Sequence, residues 1–325
     1  MQMIKKMKNQ KEFHSTIKNI RLDHFLNQKL DDLSRSQIQK LILNGLVKVD
    51  DFIVKPSYKL KGKEIILVDF KNQYKDNETI LKQNIPLDII YEDEHLIALN
   101  KKPGIIVHPG AGNKDGTILN GLLYRFKNLS YPKSERPGLV HRLDKFTSGV
   151  MLVAKTDKVH HSLGEQFASR SIKKEYRAIV WGRTNSFGDI KGYLTRSKKS
   201  RKKFVLNDNY GKYSFTEYKI IKFLEPFTYL KLRPLTGRTH QLRVHLSEIG
   251  HPIVMDDTYG GSIKISKSFH QKNKLIIDKV FKNLDRYALH AYKIKFIHPI
   301  SKLMIELKAP VPNDFKKIIN LFDEK

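Results

Sequence analysis

The sequence predicts an α+β fold in which a mixed, largely antiparallel sheet with flanking helices follows a small N-terminal α/β module. Apolar, strand-like runs are frequent in residues 85–325, and helical patterns are scattered among them without regular alternation. Residues 20–68 contain two helical patterns and a few short strands, whereas residues 69–84 are polar with few large apolar groups. We therefore expect a basic extension over residues 1–19, a small domain, a linker and a large domain, in that order.

Apolar periodicity and turn residues place the elements of the small domain. Large apolar side chains recur at helical spacing from Leu22 to Leu30. Ser34 and Gln37 predict a capping box at the start of a second helix, which ends at residues 44–45, an Asn-Gly pair. Short strands of alternating apolar and polar residues follow, the last of them at residues 64–68.

The large domain is predicted from runs of apolar residues bounded by turn residues. Its strands are expected at residues 89–91, 96–99, 150–154, 172–181, 213–223, 227–232, 288–297 and 303–307. Apolar side chains three and four residues apart predict helices at residues 117–126 and 159–167. The sequence contains no internal repeat.

The charge of the chain predicts a polyanionic partner. Lys and Arg number 61 against 33 Asp and Glu, a formal net charge of +28, which favours nucleic acid over a membrane. A lysine- and asparagine-rich coding bias is an alternative explanation for part of the lysine excess. The N-terminal lysines precede no apolar core of signal-peptide length, and no run of about 18 apolar residues occurs. We expect a cytoplasmic monomer.

Several classes of chemistry are disfavoured. The absence of cysteine excludes disulfides, thiolate zinc sites and thiol nucleophiles. The glycines of residues 110–116 are spaced one residue too widely for a dinucleotide loop, and Ser148 lies outside a G-x-S-x-G motif. His240 and His245, five residues apart, would point to different faces of a helix, so we expect no metal and no cofactor.

A polar segment, residues 141–149, stands between two apolar runs and holds one carboxylate, Asp144. Catalytic groups often lie on such short loops between buried strands. Residues two apart in an extended chain share a side, so Arg142 and Asp144 could face one cavity. A salt-bridged turn explains the same spacing equally well.

A resemblance favours the catalytic interpretation. The segment HRLDKFTSGVMLVAKT at residues 141–156 resembles the signature of the RluA-type pseudouridine synthases. Residues 172–178, 235–245 and 250–253 resemble further motifs of that family and appear in its order, and the similarity extends from Ile85 to the C-terminus. Membership implies an isomerase that converts uridines of structured RNA to pseudouridine without a cofactor.

The resemblance also assigns roles to residues. It implies that Asp144 is the catalytic aspartate, that Tyr176 stacks on the target base and that Arg238 is the cation paired with the aspartate. By analogy, Arg142 would occupy the gap left by the flipped nucleotide. The segment His-Pro-Gly-Ala-Gly-Asn at residues 108–113 is similar to the bacterial members that act on large-subunit ribosomal RNA.

Residues 20–68 resemble the alpha-L RNA-binding module first described in a small-subunit ribosomal protein. The resemblance implies phosphate contacts, which should weaken with salt, from Arg35, Lys40, Lys48, Lys55 and Lys59. The alternative is a small basic module that is merely solvated.

Two interpretations of the whole chain compete with a pseudouridine synthase. One is a non-catalytic, RNA-binding ribosome assembly factor on the same fold, and the other is a glycosidase that would release free uracil. Two basic stretches, residues 196–203 and 262–282, are either RNA-facing loops or solvated insertions.

Overall fold

The computed structural model describes residues 10–30, 33, 35–70, 80–110, 112–131, 136–200, 203–269 and 271–323. The chain divides into two compact units, residues 1–79 and residues 80–325. Each unit has a hydrophobic core of its own.

The described part of the N-terminal unit combines two helices with two small sheets. The helices are α1 (Leu22–Lys29) and α2 (Arg35–Leu43). The strands are β1 (Gln10–His14), β2 (Lys18–Arg21), β3 (Val47–Val49), β4 (Phe52–Ile53), β5 (Lys59–Lys61) and β6 (Ile65–Asp69). One sheet has the order β1-β6-β3-β4, and β2 pairs with β5 in the other.

The helical periodicity of the small unit builds its core. Leu22 and Leu26 of α1 and Ile38 and Ile42 of α2 are fully buried, together with the inward residues of β3 and β6. Burial of this apolar face, rather than intrinsic propensity, stabilises such short helices. The predicted capping box cannot be assessed because Ser34 lies outside the described residues.

Strand β1 differs from the sequence-based expectation. Its residues lie within the predicted basic extension, yet they pair antiparallel with β6 in continuous register from Gln10–Asp69 to His14–Ile65. Lys11 and Glu12 are both charged and exposed, so the sequence of β1 lacks the alternation of apolar and polar residues that predicts a strand. The small unit therefore begins before residue 20.

The C-terminal unit is built on one large sheet. Its strands are β7 (Ile89–Glu92), β8 (Leu96–Lys101), β9 (Ser148–Ala154), β10 (Lys173–Trp181), β11 (Phe187–Arg196), β12 (Phe204–Asn207), β13 (Lys212–Leu224), β14 (Phe227–Pro234), β15 (Leu289–Ile297) and β16 (Met304–Lys308). Its helices are α3 (Ile118–Arg125), α4 (Asp157–Ala168), α5 (Gln241–Glu248), α6 (Lys274–Lys282) and α7 (Asn313–Asn320).

The strand order is β12-β11-β13-β14-β10-β15-β9-β8-β7, and β16 also pairs with β15. The contact between β15 and β9 is parallel, and the other described pairings of this sheet are antiparallel. This arrangement confirms the predicted α+β class with a mixed, largely antiparallel sheet.

Strand β9 lies between β15 and β8 and is buried along its whole length. Met151 and Val153 pack with α3, whereas Val150 and Leu152 pack with α4 on the other face. A strand covered on both faces is continuously apolar, which is the pattern that residues 150–154 show. The polar segment before β9 is therefore fixed to a rigid element.

Close approach of two strands requires glycine at the start of β9. Gly149 has φ of +112°, and a Cβ atom there would lie 2.1 Å from the carbonyl oxygen of Ala291 on β15. Only glycine accepts both this conformation and this distance. The Thr-Ser-Gly sequence thus joins the polar loop to the parallel contact between β9 and β15.

Some elements were not predicted. Strand β11 was missed because Gly188, Asp189, Lys191 and Gly192 lower its strand propensity, and β12 was missed because it has only four residues. The basic stretch at residues 196–203 joins these two strands. The second basic stretch contains short 3₁₀ turns and the amphipathic helix α6.

The last residues of the predicted linker contact the C-terminal unit. The Leu81 carbonyl accepts a hydrogen bond from the Asn120 side chain at 2.6 Å, and the Gln83 side chain accepts one from the Gly116 amide at 2.7 Å. Residues 71–79, the centre of the predicted linker, lie outside the described residues. Across the described ranges, no helix has the length and apolar character needed to cross a membrane.

Candidate active site

Asp144 lies on the loop that enters β9, and this loop is held mainly through its backbone. The Thr147 amide donates to the Asp144 carbonyl at 3.1 Å. Nε2 of His141 accepts a hydrogen bond from the Leu152 amide at 2.8 Å, which requires the imidazole to be neutral at this nitrogen. Burial accordingly lowers the pKa of His141 to about 3. The side chain of Asp144 remains about one-fifth exposed.

Two buried cations donate hydrogen bonds to carbonyl oxygens of the same loop. Nζ of Lys101, at the end of β8, donates to the Lys145 carbonyl at 3.0 Å and to the Lys102 carbonyl at 2.9 Å. The guanidinium of Arg286 donates to the Phe146 carbonyl at 3.1 Å. Burial, followed by the charge of Arg286, lowers the pKa of Lys101 to about 7. The two loop carbonyls belong to the residues that follow Asp144, so these donors fix the backbone directly after it.

A pocket opens in front of Asp144. Its walls come from the Asp144 loop, from β10, from the loop between β14 and α5, and from the start of α5. The charged and aromatic side chains in its walls are Arg142, Asp144, Lys174, Tyr176, Arg238, His240 and Arg243. Among the described residues that line it, Asp144 is the one carboxylate. The several cations of this pocket suit a polyanionic substrate, and its single carboxylate is available to act on that substrate.

Tyr176 enters the pocket from β10, between β14 and β15. It pairs with Leu232 on one side and with Ala291 on the other, next to a bulge between Glu175 and Tyr176. Burial, and then the charge of Asp144, raises the pKa of the Tyr176 phenol. The ring is therefore neutral at physiological pH and presents an aromatic surface beside the carboxylate.

Arg243, on α5, is the arginine that contacts Asp144. One guanidinium nitrogen lies 3.5 Å from Oδ2 of Asp144. Nε and Nη2 donate to the two carboxylate oxygens of buried Asp256 at 2.6 and 2.8 Å, which fixes the guanidinium plane. Burial opposes the charged form, but the hydrogen bond and charge of Asp256 outweigh it and raise the pKa of Arg243. The ring of Tyr287 lies 4.4 Å from this guanidinium.

Arg238 does not form the predicted pair with Asp144. It lines the same pocket, but its Nε donates to the Tyr213 carbonyl at 3.2 Å. Arg238 precedes α5 on a loop, whereas Arg243 lies on the helix and is turned toward Asp144 by Asp256. Spacing alone does not show which of the two arginines of this motif faces the carboxylate, and in the structure it is Arg243.

The loop before α5 is held by a buried amide. Oε1 of Gln241 accepts from the Thr236 hydroxyl and the Arg238 amide at 2.7 and 3.0 Å, and its Nε2 donates to the Phe215 carbonyl at 3.0 Å. His240 follows in a left-handed conformation, with φ of +56°. Its Nε2 lies 4.0 Å from Oδ2 of Asp144, and its Nδ1 lies 2.7 Å from the Tyr259 hydroxyl.

Lys174 is a further cation that the sequence analysis missed. Its Nζ donates to the Thr236 carbonyl at 3.1 Å and lines the pocket beside Arg238. Burial, followed by the charge of Arg238, lowers its pKa to about 8. Its position two residues before Tyr176 puts both side chains on one face of β10, which strand periodicity could have shown.

Within the described ranges no group of three or more His, Asp and Glu side chains is placed to hold a metal ion. His240 and His245 point apart, since Nε2 of His245 bonds to the Ser214 hydroxyl at 2.8 Å inside the core.

Comparison with known proteins identifies the family. The sequence model described as RNA pseudouridylate synthase matches residues 95–248, and the model described as S4 domain matches residues 20–66. The chain is 41% identical to the ribosomal large subunit pseudouridine synthase D of Buchnera aphidicola over 303 residues, covering 92% of this chain and 93% of the relative. The chain belongs to the RNA pseudouridylate synthase family.

Other relatives agree. The ribosomal large subunit pseudouridine synthase D of Xylella fastidiosa is 38% identical over 299 residues, covering 92% of this chain and 88% of that protein. The solved structure of human RNA pseudouridylate synthase domain containing 1 superposes with a TM-score of 0.53 at 27% identity, covering 71% of this chain and 85% of that chain. Membership of this synthase family makes the protein an isomerase that acts on RNA.

The residues predicted to bind RNA in the N-terminal unit of this synthase are mostly exposed. Lys40, Lys48 and Lys55 have exposed side chains. Arg35 is also exposed, but its Nε and Nη2 donate to Oδ2 of Asp23 at 3.1 and 3.0 Å. Asp23 is fully buried, so the Arg35 guanidinium partly serves to neutralise this carboxylate. The guanidinium is still partly exposed to solvent.

Proposed function

We propose that this synthase isomerises specific uridines of large-subunit ribosomal RNA and that Asp144 carries the reaction. The observation that supports the role of Asp144 is its place as the sole acid among the described residues of a pocket rich in cations. The substrate assignment rests on the relatives, which are named for the large ribosomal subunit. Action on ribosomal RNA implies the cytoplasm as the location, and we propose a monomer.

The reaction moves one bond and one proton. The bond between N1 of uracil and C1′ of the ribose breaks, the uracil rotates, and C5 bonds to C1′. The proton released from C5 is balanced by the one that N1 acquires, so no oxidant, reductant or cofactor is consumed. The Asp144 carboxylate acts at the first step, on the ribose or on the base, as the glycosidic bond breaks.

A uridine within a folded RNA reaches Asp144 only if it is turned out of its stack. In our proposal, Tyr176 receives the extruded base, since its neutral ring lines the pocket beside the carboxylate. We also propose that Arg142, which is exposed and lines the pocket, fills the gap left in the RNA.

In this proposal the cations have two roles, orienting Asp144 and contacting the RNA backbone. Arg243 orients the Asp144 carboxylate through the contact between its guanidinium and Oδ2. Arg238 and Lys174 line the same pocket and contact the backbone of the flipped nucleotide. In the N-terminal unit, Lys40, Lys48, Lys55 and the exposed part of Arg35 would contact phosphates elsewhere on the RNA.

Asp144→Asn tests the catalytic role. The amide has nearly the same shape but lacks the charge, so single-turnover conversion of a uridine-containing target RNA should fall by many orders of magnitude. Asp278→Asn, a matched change at an exposed position of α6, should convert the RNA at the wild-type rate. Near wild-type conversion by Asp144→Asn, with an unchanged thermal melt, would show that Asp144 is only a turn residue.

The substrate is tested separately. Carbodiimide mapping of pseudouridine in total RNA from cells with and without the gene should show uridines of large-subunit ribosomal RNA that lose modification. Re-expression of the wild-type protein should restore them, whereas Asp144→Asn should not. Loss of modification only in transfer RNA would refute the ribosomal assignment and leave the chemistry intact.

A further inference from the structure

One end of the sheet face opposite α5 is exposed to solvent. Alternation along the strands places one set of side chains of β11, β13 and β14 on this face. This outer sheet face comprises the odd-numbered residues of 187–193 on β11, of 213–219 on β13 and of 231–233 on β14. The intervening residues, such as Ile190, Thr216 and Leu232, point inward and are buried.

Helix α7 covers only part of this side of the sheet. Phe315 of α7 packs against Tyr229 of β14, with ring centroids 6.2 Å apart. Farther along β14, Arg233 is exposed, and Phe187 on β11 is 75% exposed. An antiparallel sheet commonly leaves one face to solvent, but such a face is normally polar rather than aromatic.

Four aromatic side chains lie on the outer sheet face. Tyr193 and Tyr213 are paired directly across β11 and β13, with ring centroids 5.6 Å apart and nearly perpendicular planes. Tyr213 is 38% exposed, and Phe215 is partly exposed beside it. Exposed rings on a sheet are the surface on which unpaired bases stack in RNA-binding domains.

The charges between these rings favour a polyanion. Within the part of the chain that the structure describes, Lys191, Lys219 and Arg233 form no ion pair, whereas Lys231 lies 3.3 Å from Glu175. Four cations against the two acids Asp189 and Glu217 leave this face with a net positive charge. Cations that no protein carboxylate neutralises are available to phosphates.

A cavity of about 490 Å³ lies over this face. Its walls include Phe187, Phe215, Lys219, Lys231 and Arg233. The side chains of Asp189 and Glu217 also line it and supply hydrogen-bond acceptors for the amino and imino groups of bases. The rings match the face of an unpaired base, the acceptors match its amino and imino groups, and the cations match its phosphate.

This cavity is separate from the pocket that contains Asp144. The inward side of β13 at Thr216 bonds to Nε2 of Gln241 at 2.9 Å, on the Asp144 side of the sheet. Phe215, the next residue, points to the opposite side and lines the cavity. RNA at the two places would therefore be two different segments of one molecule, which a large structured RNA can provide.

We propose that the outer sheet face binds an unpaired segment of the substrate RNA that does not contain the target uridine. Bases stack on Phe187, Phe215 and the pair of tyrosines, and Lys219 and Arg233 contact the phosphates. The proposal rests on RNA as the substrate of this enzyme. Binding at the outer sheet face would let the catalytic unit select RNAs that have a single-stranded region at a fixed position relative to the modified uridine.

Photo-crosslinking locates the contact. The full chain carrying Asp144→Asn is irradiated with an oligouridine of about 12 nucleotides containing 5-iodouridine, within the site size of single-strand binding modules. We expect crosslinked peptides that contain Phe187–Tyr193 or Tyr213–Lys219, in addition to any from the Asp144 pocket. Crosslinks confined to residues 10–70 and to the lining of the Asp144 pocket would overturn the proposal.

Affinity measurements on the same oligonucleotide provide the energetic test. Phe187→Ser should weaken binding about fivefold or more, since each stacked base contributes measurably. Arg233→Gln should weaken binding and make it less dependent on salt. Tyr124→Ser on α3 and Lys316→Gln on α7 are matched controls at exposed positions and should bind as the wild type does.

Equal affinity of Phe187→Ser, Arg233→Gln and wild type would overturn the inference, as would equal losses in the two controls. Failure of the proposed function has a different signature, because it is read from turnover by Asp144→Asn and not from oligouridine binding. Asp144→Asn should retain the outer-face crosslinks while losing turnover.

Discussion

The guanidinium of Arg243 lies between two carboxylates, holding both oxygens of Asp256 while one of its nitrogens stays 3.5 Å from Oδ2 of Asp144. The two contacts are unequal in length. Asp256 is 1% exposed and makes two short hydrogen bonds, whereas Asp144 is partly open to the pocket. Asp256 therefore positions the arginine, and the arginine presents its charge to a carboxylate that remains free to reach substrate.

Arg243→Gln is predicted to reduce single-turnover conversion by about a hundredfold or more, the scale seen when one preorganised charge partner is removed. The change also leaves the buried Asp256 carboxylate without its cation, which should destabilise the protein by about 3–5 kcal/mol. Conversion is measured at saturating RNA and below the melting temperature of the variant.

Arg238→Gln is the matched control for Arg243→Gln. Arg238 makes no ion pair with the described carboxylates and bonds only to a backbone carbonyl, so its loss should raise KM more than it lowers kcat. If Arg238→Gln abolished kcat while Arg243→Gln did not, Arg238 would be the functional partner of Asp144 despite the geometry.

Tyr176→Phe and Tyr176→Ala separate stacking from the hydroxyl. The Tyr176 hydroxyl makes no hydrogen bond to another described residue, so Tyr176→Phe should melt near the wild-type temperature and retain affinity for the target RNA. Tyr176→Ala removes the ring and should weaken capture of the flipped base about tenfold, within the range for one stacked base. Equal affinity of the alanine and phenylalanine variants would rule out a stacking role.

The sequence predicted the fold where the apolar pattern was strong. Continuous apolar residues identified β9, and helical periodicity identified α3 and α4, because both faces of β9 are covered. Strands β1 and β11 were missed since charged or glycine residues interrupt their apolar pattern, and β12 was missed because it has only four residues. Such strands are stabilised by pairing with their neighbours. The composition of one segment does not show which distant strand it pairs with.

The site was predicted in part for a similar reason. The resemblance to the family singled out Asp144 and Tyr176, and both line the candidate pocket. The choice between Arg238 and Arg243 depended on Asp256, which is distant in sequence from Asp144 and pairs with Arg243 only in the folded chain. Lys101, which holds the loop backbone, carries no local signal either.

Lys101 should make stability depend on pH. Its pKa in the folded protein is about 7, below the value of about 10.4 for a lysine in an unfolded chain. Between these values the unfolded state binds more protons than the folded state, so this group makes stability rise as pH rises through that window. The free energy of unfolding of wild type relative to Lys101→Met should therefore increase from pH about 7 toward pH about 10.

The measurement uses denaturant titrations followed by the fluorescence of Trp181, the single tryptophan, which is buried in the C-terminal unit. Comparison with Lys101→Met removes contributions from groups shared by both proteins. Parallel stability curves for the two proteins across this window would mean that Lys101 stays charged in the folded state, held by the Lys102 and Lys145 carbonyls and the nearby Asp144.

Removing residues 1–79 should separate RNA capture from catalysis. The two units have separate cores, and residues 80–84 contact the C-terminal unit, so the remainder from Ile80 should fold. Loss of the exposed Lys48 and Lys55 should weaken binding of the target RNA and flatten its dependence on salt, by a slope of about 0.7–0.9 for each lost phosphate contact.

Two further variants make the result decisive. The full-length Lys48→Gln, Lys55→Gln double variant should reproduce part of the flatter slope with the fold of the N-terminal unit intact. Removal of residues 1–84 should be more damaging than removal of residues 1–79, because it deletes the Leu81 and Gln83 hydrogen bonds to the catalytic unit. An aggregated protein after the shorter deletion would contradict the domain boundary. An unchanged salt slope in both the deletion and the double variant would contradict phosphate binding by the N-terminal unit.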